Sequence, residues 1–541
     1  MTGTGSKTLV IGFDALDFRY LDQFADVLPN FERFRERGGE ADLASTFPPW
    51  TGSAWPSMYT GTDPSYHGVF DFFDINGYPD DASLVSRHDV QQPAVWEYLT
   101  AESVRSVVLN VPVTHPAGEI DGVLLPGYLA PEDAQGYPET VRAEVSEAIG
   151  EPYRIYARNE AGGGEKSVDD YADLIDMRKR AAVHLLDANE WEFSFIQVQK
   201  TDSVFHTFDD EAAFERIYRA ADELLGAVLD TVDDDVNVII CSDHGMGENT
   251  GYSIYPNELL RDHGYLETGT GGTGPQLKHI KTELKDSGTD DPGVASAAIA
   301  SVIERFGSRL PVGTLAAITD RLGLTDRIRG MVSPSTIAST SDGIDWGAST
   351  AYCQSSPRLG IRLNVEGREP AGVVPEDRYD HVRDAIIALL REIETPDGRD
   401  AFGDVSPREA VYDGPYTEDA DDILVTPNGM NNNIGTELFG RQFAPIDTHN
   451  HKQTGAFLAA GPAIETGAIP ERLSLTDVVP ISMAALGQPV PERMTGTVPD
   501  GLINGPVETA RYDDVVEAEP ADREQRRDDA MEDRLKHLGY L

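Results

Sequence analysis

Cysteine is nearly absent: the chain has two in 541 residues, Cys241 and Cys353. Two isolated thiols exclude a disulfide framework, and no Cys-x-x-Cys spacing points to a thiolate metal site. No apolar run approaches the roughly 20 residues of a membrane-spanning helix. The N-terminus, Met-Thr-Gly-Thr-Gly-Ser-Lys, leads straight into an apolar strand at Thr8–Gly12, without the charged and apolar segments of a signal peptide. The cytoplasm is therefore the expected location. Positive charge is scarce too. Lys and Arg together number 44 against 93 Asp and Glu, giving a net charge of −49. A surface of that sign repels nucleic acid and anionic membranes, so neither a nucleic-acid duplex nor a bilayer is an expected partner.

The acid excess matches what proteins of salt-loving archaea carry, where a carboxylate surface stays hydrated. At molar salt the Debye length is about 3 Å, so self-repulsion is largely screened. The charge then speaks to the solvent and not to the substrate. Acidic runs such as Thr231–Asp235 and Glu418–Asp422 lack the ligand spacing of an EF-hand loop, which argues against a calcium buffer.

What is present is a large core. Apolar residues make up 40% of the chain. Strand-like runs at Thr8–Gly12, Ser106–Val111, Gly122–Leu125, Phe193–Val198 and Val236–Cys241 alternate with helical patterns at 168–188 and Glu211–Val232. Such alternation predicts an α/β protein, an α/β/α sandwich around a mixed, mostly parallel sheet. Residues 262–340 are rich in Gly, Thr and Ser, with helical stretches at Gly293–Phe306 and Leu315–Leu322, and read as an insertion or cap. From Asp345 the α/β pattern resumes, with a strand at Leu359–Asn364, a helix at Glu376–Glu394, a late strand at Ala456–Ala460 and a helix at Leu475–Leu486. The expected organisation is a core from residues 1–261 and 341–505, the insertion, and an acidic, mixed-charge tail over 506–541.

Potential ligands stand where strands end, which is where an open parallel sheet gathers its ligands. Asp14 closes the first strand, and Asp243-His244 follows Val238–Ser242. Asp202-x-x-x-His206 follows the strand at Phe195–Val198 and has the spacing of one helical turn. Mixed oxygen and nitrogen donors suit zinc or a similar first-row metal. Singly, each residue reads as a cap or a structural polar group; the combination carries the case. In Phe47-Pro48-Pro49-Trp50-Thr51-Gly52-Ser53 two prolines bring an extended segment to Thr51 and a short helix follows. The Thr51 hydroxyl then sits at a helix N-terminus, a place for a phosphate or simply for an N-cap.

Together, Phe13-Asp14, the Thr51 segment with Thr60-Gly61 and His67-Gly68, Thr201-Asp202-x-x-x-His206, Ser242-Asp243-His244-Gly245-Met246 and a late His before a Gly-Ala-Phe strand resemble the type I phosphodiesterase/nucleotide pyrophosphatase branch of the alkaline phosphatase superfamily. The resemblance spans roughly residues 8–490. It implies Thr51 as nucleophile and two divalent metal ions, zinc or manganese. One ion would be held by Asp202, His206 and a late His, the other by Asp14, Asp243 and His244 with Thr51 beside it. Of the two late histidines, the family's spacing to Gly455 selects His451 over His449. The implied reaction is hydrolysis of a small-molecule phosphate ester through a phosphothreonine, with a diester preferred and monoester hydrolysis or phosphotransfer sharing the same residues. Gly52 and Asp71 are the implied substrate-binding positions. Nucleotide-cleaving members carry Asn where this chain has Asp71, which puts nucleotide specificity in doubt. A sulfatase would need a Cys/Ser-x-Pro-x-Arg motif, absent around Thr51. A non-catalytic binding protein would be expected to lose some of these residues, and every position is filled.

Overall fold

A computed structural model describes residues 7–75, 77–79, 82–158, 160, 166–269, 343–438 and 440–515. Its centre is an eight-stranded sheet of β1 (Thr8–Phe13), β2 (Gly39–Ala44), β3 (Ser106–Leu109), β4 (Gly122–Leu125), β5 (Phe193–Val198), β6 (Asn237–Cys241), β7 (Thr454–Ala460) and β8 (Arg472–Ser474). The order across it is β8-β2-β7-β6-β1-β5-β3-β4. All neighbours pair in parallel except β7, which runs antiparallel to both β2 and β6. The central strands β1, β5 and β6 are buried along their whole length. That double-sided burial is why they read as continuous apolar runs without alternation.

Adjacent residues of β1 show the two covered faces, since successive side chains point to opposite sides of a sheet. Phe13 meets Phe31 on α1 (Pro29–Arg37), with ring centroids 5.3 Å apart. Gly12 lies under Trp55 on α2 (Thr51–Thr60). The long helices α3 (Val168–Ala188) and α5 (Glu211–Thr231) pack on each other, capped by the side chains of Ser167 and Asp210. Between them in sequence comes the short α4 (Lys200–Thr207), and α6 (Val478–Leu486) packs against α2, β1 and β6. A Cβ on Gly12 would stand 2.4 Å from the Trp55 ring, so this glycine is what lets α2 approach the sheet. Gly12→Ala is expected to cost about 1–3 kcal/mol by overpacking, read as a lowered denaturation midpoint with unchanged slope.

The helical and strand patterns before residue 262 recur almost residue for residue. Beyond it the topology departs from expectation. Strands at Ala351–Tyr352, Gly360–Leu363, Phe402–Pro407 and Ile423–Pro427 do not extend the main sheet; they form a separate four-stranded antiparallel sheet backed by the helix Tyr379–Arg391. An apolar strand in sequence does not say which sheet it joins, because either burial satisfies it. The 343–445 region is thus an outer lobe, and the chain re-enters the main sheet at β7. The helices expected at Gly293–Phe306 and Leu315–Leu322 lie outside the described residues. The start of the 506–541 tail is docked: Thr509–Ala510 pairs with Val490–Pro491, and Tyr512 packs edge-on against Tyr98 at 5.1 Å. No helix among the described residues is long and apolar enough to cross a membrane.

Candidate active site

The C-terminal ends of β1, β5 and β6 place the candidate ligands side by side. Asp14 follows β1, and its N–H still pairs with the Val198 carbonyl at 2.9 Å. Asp202 and His206 occupy one face of α4, directly after β5, as the four-residue spacing predicts. Asp243 and His244 follow β6. His451 arrives on a two-stranded ribbon in which Thr448–Lys452 pairs antiparallel with Gly245–Asn249. The register sets His451 opposite Met246, so its ring stacks on His244 at 3.7 Å and 17°. His449, two residues earlier, leans instead on Phe205 and Phe214.

The donor atoms converge. His206 Nε2 stands 3.1 Å from Asp202 Oδ1 and 3.0 Å from His451 Nε2, and His451 Nε2 is 3.3 Å from Asp202 Oδ1. His244 Nε2 lies 3.2 Å from Asp243 Oδ2 and 3.5 Å from Asp14 Oδ1. Among the described residues two groups have donor atoms all within 4.8 Å of one another: Asp202, His206 and His451, and Asp14, Asp202 and His244. Asp202 therefore sits between the two sets, a sharing that sequence spacing does not reveal. Asp14, Thr51, Asp202, Asp243, His244 and His451 are wholly buried.

These atoms fit divalent ions. His244 Nδ1 faces the Gly245 carbonyl at 3.0 Å and His451 Nδ1 faces the Pro49 carbonyl at 2.9 Å. A carbonyl only accepts, so each ring carries its proton on Nδ1 and turns the Nε2 lone pair to the site. His244 Nε2 and Asp243 Oδ2 are buried and take no hydrogen bond among the described residues. Burial, with repulsion from Asp243 and Asp202, raises the Asp14 carboxyl well above its ordinary range. Burial likewise raises Asp243. At Asp202 burial opposes ionisation, but the neighbouring His206 outweighs it and holds the group well below the usual range. Burial also pushes His244 and His451 down, keeping both imidazoles neutral and able to ligate. A cluster of carboxylates that repel one another beside exposed lone pairs is what a bound cation relieves.

Thr51 is the first residue of α2; Trp50, in extended conformation, occupies the N-cap position. The Thr51 side chain is thus released from capping, and its hydroxyl faces Asp14 Oδ1 at 3.4 Å. Gly52 follows in the first turn, where a Cβ would stand 3.0–3.1 Å from Phe72 and the Asp71 carbonyl. Asp71 is wholly buried, accepts from the Phe72 N–H, and faces Ser355, Arg358 and Asp421 of the outer lobe. Burial lifts its carboxyl to about 6 from 3.8. A carboxyl raised on folding stabilises fully below about pH 4, and that contribution is lost as pH climbs through 6. Asp71→Asn should therefore gain on the parent between pH 4 and 7, by up to about 3 kcal/mol. Chemical unfolding at both pH values checks this; a difference that stays flat would remove the buried-acid account.

Sequence reading missed two residues that touch the site. Trp55 Nε1 and Gln197 Nε2 each donate to Asp14 Oδ2 at 3.0 Å. The available signal was Gln197 itself, a long polar side chain near the end of a buried strand whose one other polar residue is Ser194. A separate pair, His67 Nε2 and the Ser57 hydroxyl at 2.8 Å, is wholly buried behind α2. The Val69 N–H donates to His67 Nδ1 and fixes the tautomer, so this pair braces the helix.

The fold is alkaline-phosphatase-like, and the chain is a hydrolase of phosphate esters. More narrowly, the chain matches the type I phosphodiesterase / nucleotide pyrophosphatase family over residues 8–321 and belongs to it. Among solved structures it is similar to phosphonoacetate hydrolase from Sinorhizobium meliloti 1021, in complex with phosphonoformate (16% identity, TM-score 0.52) and with phosphonoacetate (15%, 0.51). Both alignments cover 89% of this chain and 96% of that one. Murine ectonucleotide pyrophosphatase / phosphodiesterase 5 in complex with AMP aligns at 13% identity and TM-score 0.49, over 92% of this chain and 100% of that one. At such identities the phosphonoacetate hydrolase likeness speaks to fold alone. No curated protein matches the sequence.

Proposed function

We propose that the protein is a phosphodiesterase that works through a phosphothreonine on Thr51 at a two-metal site. The observation that carries this reading is the convergence of His244, His451 and His206 Nε2 with three buried carboxylates beside a hydroxyl that begins a helix. Asp202, His206 and His451 would hold one ion; Asp14, Asp243 and His244, with Thr51, the other. Zinc fits this donor set, and manganese is the alternative. Bound there, such ions lower the pKa of a hydroxyl and offset phosphoryl charge. Thr51 Oγ1 loses its proton to water and attacks phosphorus, the O–P bond to the leaving alkoxide breaks and the alkoxide takes a proton from water, and a further water then cleaves the Oγ1–P bond of the phosphothreonine and returns a proton to Thr51. The Thr51 and Gly52 N–H groups that open α2 would face the phosphoryl oxygens, the Ser53 N–H being bonded to the Trp50 carbonyl.

Asp71 offers no neutral amide where the nucleotide-cleaving relatives carry Asn, and its carboxyl faces the outer lobe. That favours a phosphodiester other than a nucleotide pyrophosphate. The charge of −49 supports a haloarchaeal setting. In molar KCl with Zn2+ or Mn2+, bis-p-nitrophenyl phosphate should be cleaved faster than p-nitrophenyl phosphate. The reverse order would move the function to a monoesterase, and folded, metal-loaded protein that cleaves neither would overturn the proposal.

A further inference from the structure

Asp14 uses its two oxygens differently. Oδ1 faces Thr51 and His244, while Oδ2 is tied back by Trp55 and Gln197. A buried carboxylate facing two donors fixes the direction of everything behind it. Gln197 must turn its Nε2 to Asp14, so its Oε1 faces away and accepts from Asn110 Nδ2 at 2.8 Å. The same Nδ2 reaches the Gln197 carbonyl at 3.1 Å. Asn110 Oδ1 is then directed onward as an acceptor. Gln197 sits beside Gly12 in the β5–β1 register, and Asn110 follows β3 with φ +65, a conformation that Asn tolerates better than most residues.

A second amide approaches from the other half of the site. Gln199 Oε1 accepts from Lys200 Nζ at 2.8 Å and from the Ser203 hydroxyl at 2.9 Å, both on α4, the helix that carries Asp202 and His206. That leaves Gln199 Nε2 as an outward donor. Asn110, Gln199 and Tyr128 line one cavity of about 10 Å3. They are only 3%, 7% and 2% exposed, yet Asn110 Oδ1, Gln199 Nε2 and the Tyr128 hydroxyl have no hydrogen-bond partner among the described residues. One acceptor, one donor and one hydroxyl around a space of this size match a single water, which needs roughly 10–15 Å3 and two to four polar partners. A larger ion does not fit.

We propose that a buried water held by Asn110, Gln199 and Tyr128 completes a polar chain, Asp14–Gln197–Asn110–water–Gln199, that braces Asp14 against the start of α4 and makes Gln197 and Asn110 positioning residues for Asp14. The proposal rests on the two-metal reading. It is tested on the full chain, stripped of metal, by titrating Mn2+ calorimetrically; Asp14→Asn identifies which of two ions depends on Asp14. Gln197→Leu and Asn110→Gly, the latter accepting the positive φ, should each weaken that ion about 10–100-fold, the usual consequence of losing a group that orients a ligand. The other ion should change less than about threefold. Gln199→Leu should weaken the same ion by a smaller factor and add nothing to Asn110→Gly, because both act through one water. Near-ultraviolet circular dichroism checks folding, and Gln197→Leu, an apolar side chain of similar length in an apolar strand, stands in if Asn110→Gly does not fold. Folded variants with both affinities within about twofold of the parent would overturn the positioning role. Additive effects of Asn110→Gly and Gln199→Leu would overturn the water link. A parent chain that binds no Mn2+ would remove the two-metal reading itself, and this proposal with it.

Discussion

Thr51→Ala is expected to fold with its unfolding midpoint within a few degrees of the parent and to lose at least about a thousandfold in kcat. The two halves of that expectation have separate grounds. For stability, the hydroxyl makes one long contact, 3.4 Å to Asp14 Oδ1, and does not cap its helix. Ala has the better helix propensity, and losing one hydroxyl and one methyl costs on the order of 1 kcal/mol. For activity, the neighbouring hydroxyls are already committed, Thr201 to the Asp14 carbonyl and Ser45 to the Asp243 carbonyl. Ser57, on the same helix, faces His67 and the Ser53 carbonyl, away from the ligands. Thr51→Ser, which keeps the oxygen, should retain a measurable fraction of the rate. Residual diester cleavage above about a tenth of the parent in Thr51→Ala would sink Thr51 as the nucleophile. Trapping labelled phosphate on the parent in acid, and its absence on Thr51→Ala, would locate the intermediate independently.

Legibility divides along physical lines. Asp14, Asp243 and His244 stand out in the sequence because each lies within three residues of the end of a buried strand, and a strand's end is fixed by its apolar run. Asp202 and His206 could be read because a helical turn has one spacing. Family spacing selects His451 over His449, and the ribbon register turns alternate residues to opposite faces, sending His451 to His244 and His449 to Phe205. Long-range consequences were not legible. That Asp202 sits between both sets depends on how α4 packs against the ribbon. That Gln197 and Trp55 hold one oxygen of Asp14 depends on α2 lying flat on Gly12. The outer lobe escaped for the same reason, since Gly360–Leu363 and Ile423–Pro427 are apolar in a way that either sheet would satisfy.

Stripping the metal should produce the second large effect, and its size should depend on pH. Asp14 and Asp243 are raised well above 3.8, first by burial and then, at Asp14, by Asp243 and Asp202. In the metal-free chain a carboxyl raised on folding stabilises below its unfolded value, and that contribution disappears as pH rises through the raised folded value. Asp202 runs the other way, since its folded value is depressed. His244 and His451 are depressed too, so near neutral pH they are already unprotonated and do not compete with the ion. Divalent ions remove the penalty on Asp14 and Asp243 by pairing with the ionised forms, and binding expels whatever protons those two carry. An ion present at a hundred times its dissociation constant stabilises by about 2.7 kcal/mol. Chelation should therefore lower the unfolding temperature by several degrees, and by more at pH 8 than at pH 5.5. Scanning calorimetry in molar KCl, with and without chelator at the two pH values, measures both. A midpoint indifferent to chelator at either pH would show that the three carboxylates and three imidazoles hold no ion. A shift of equal size at both would show that Asp14 and Asp243 ionise without the help of one.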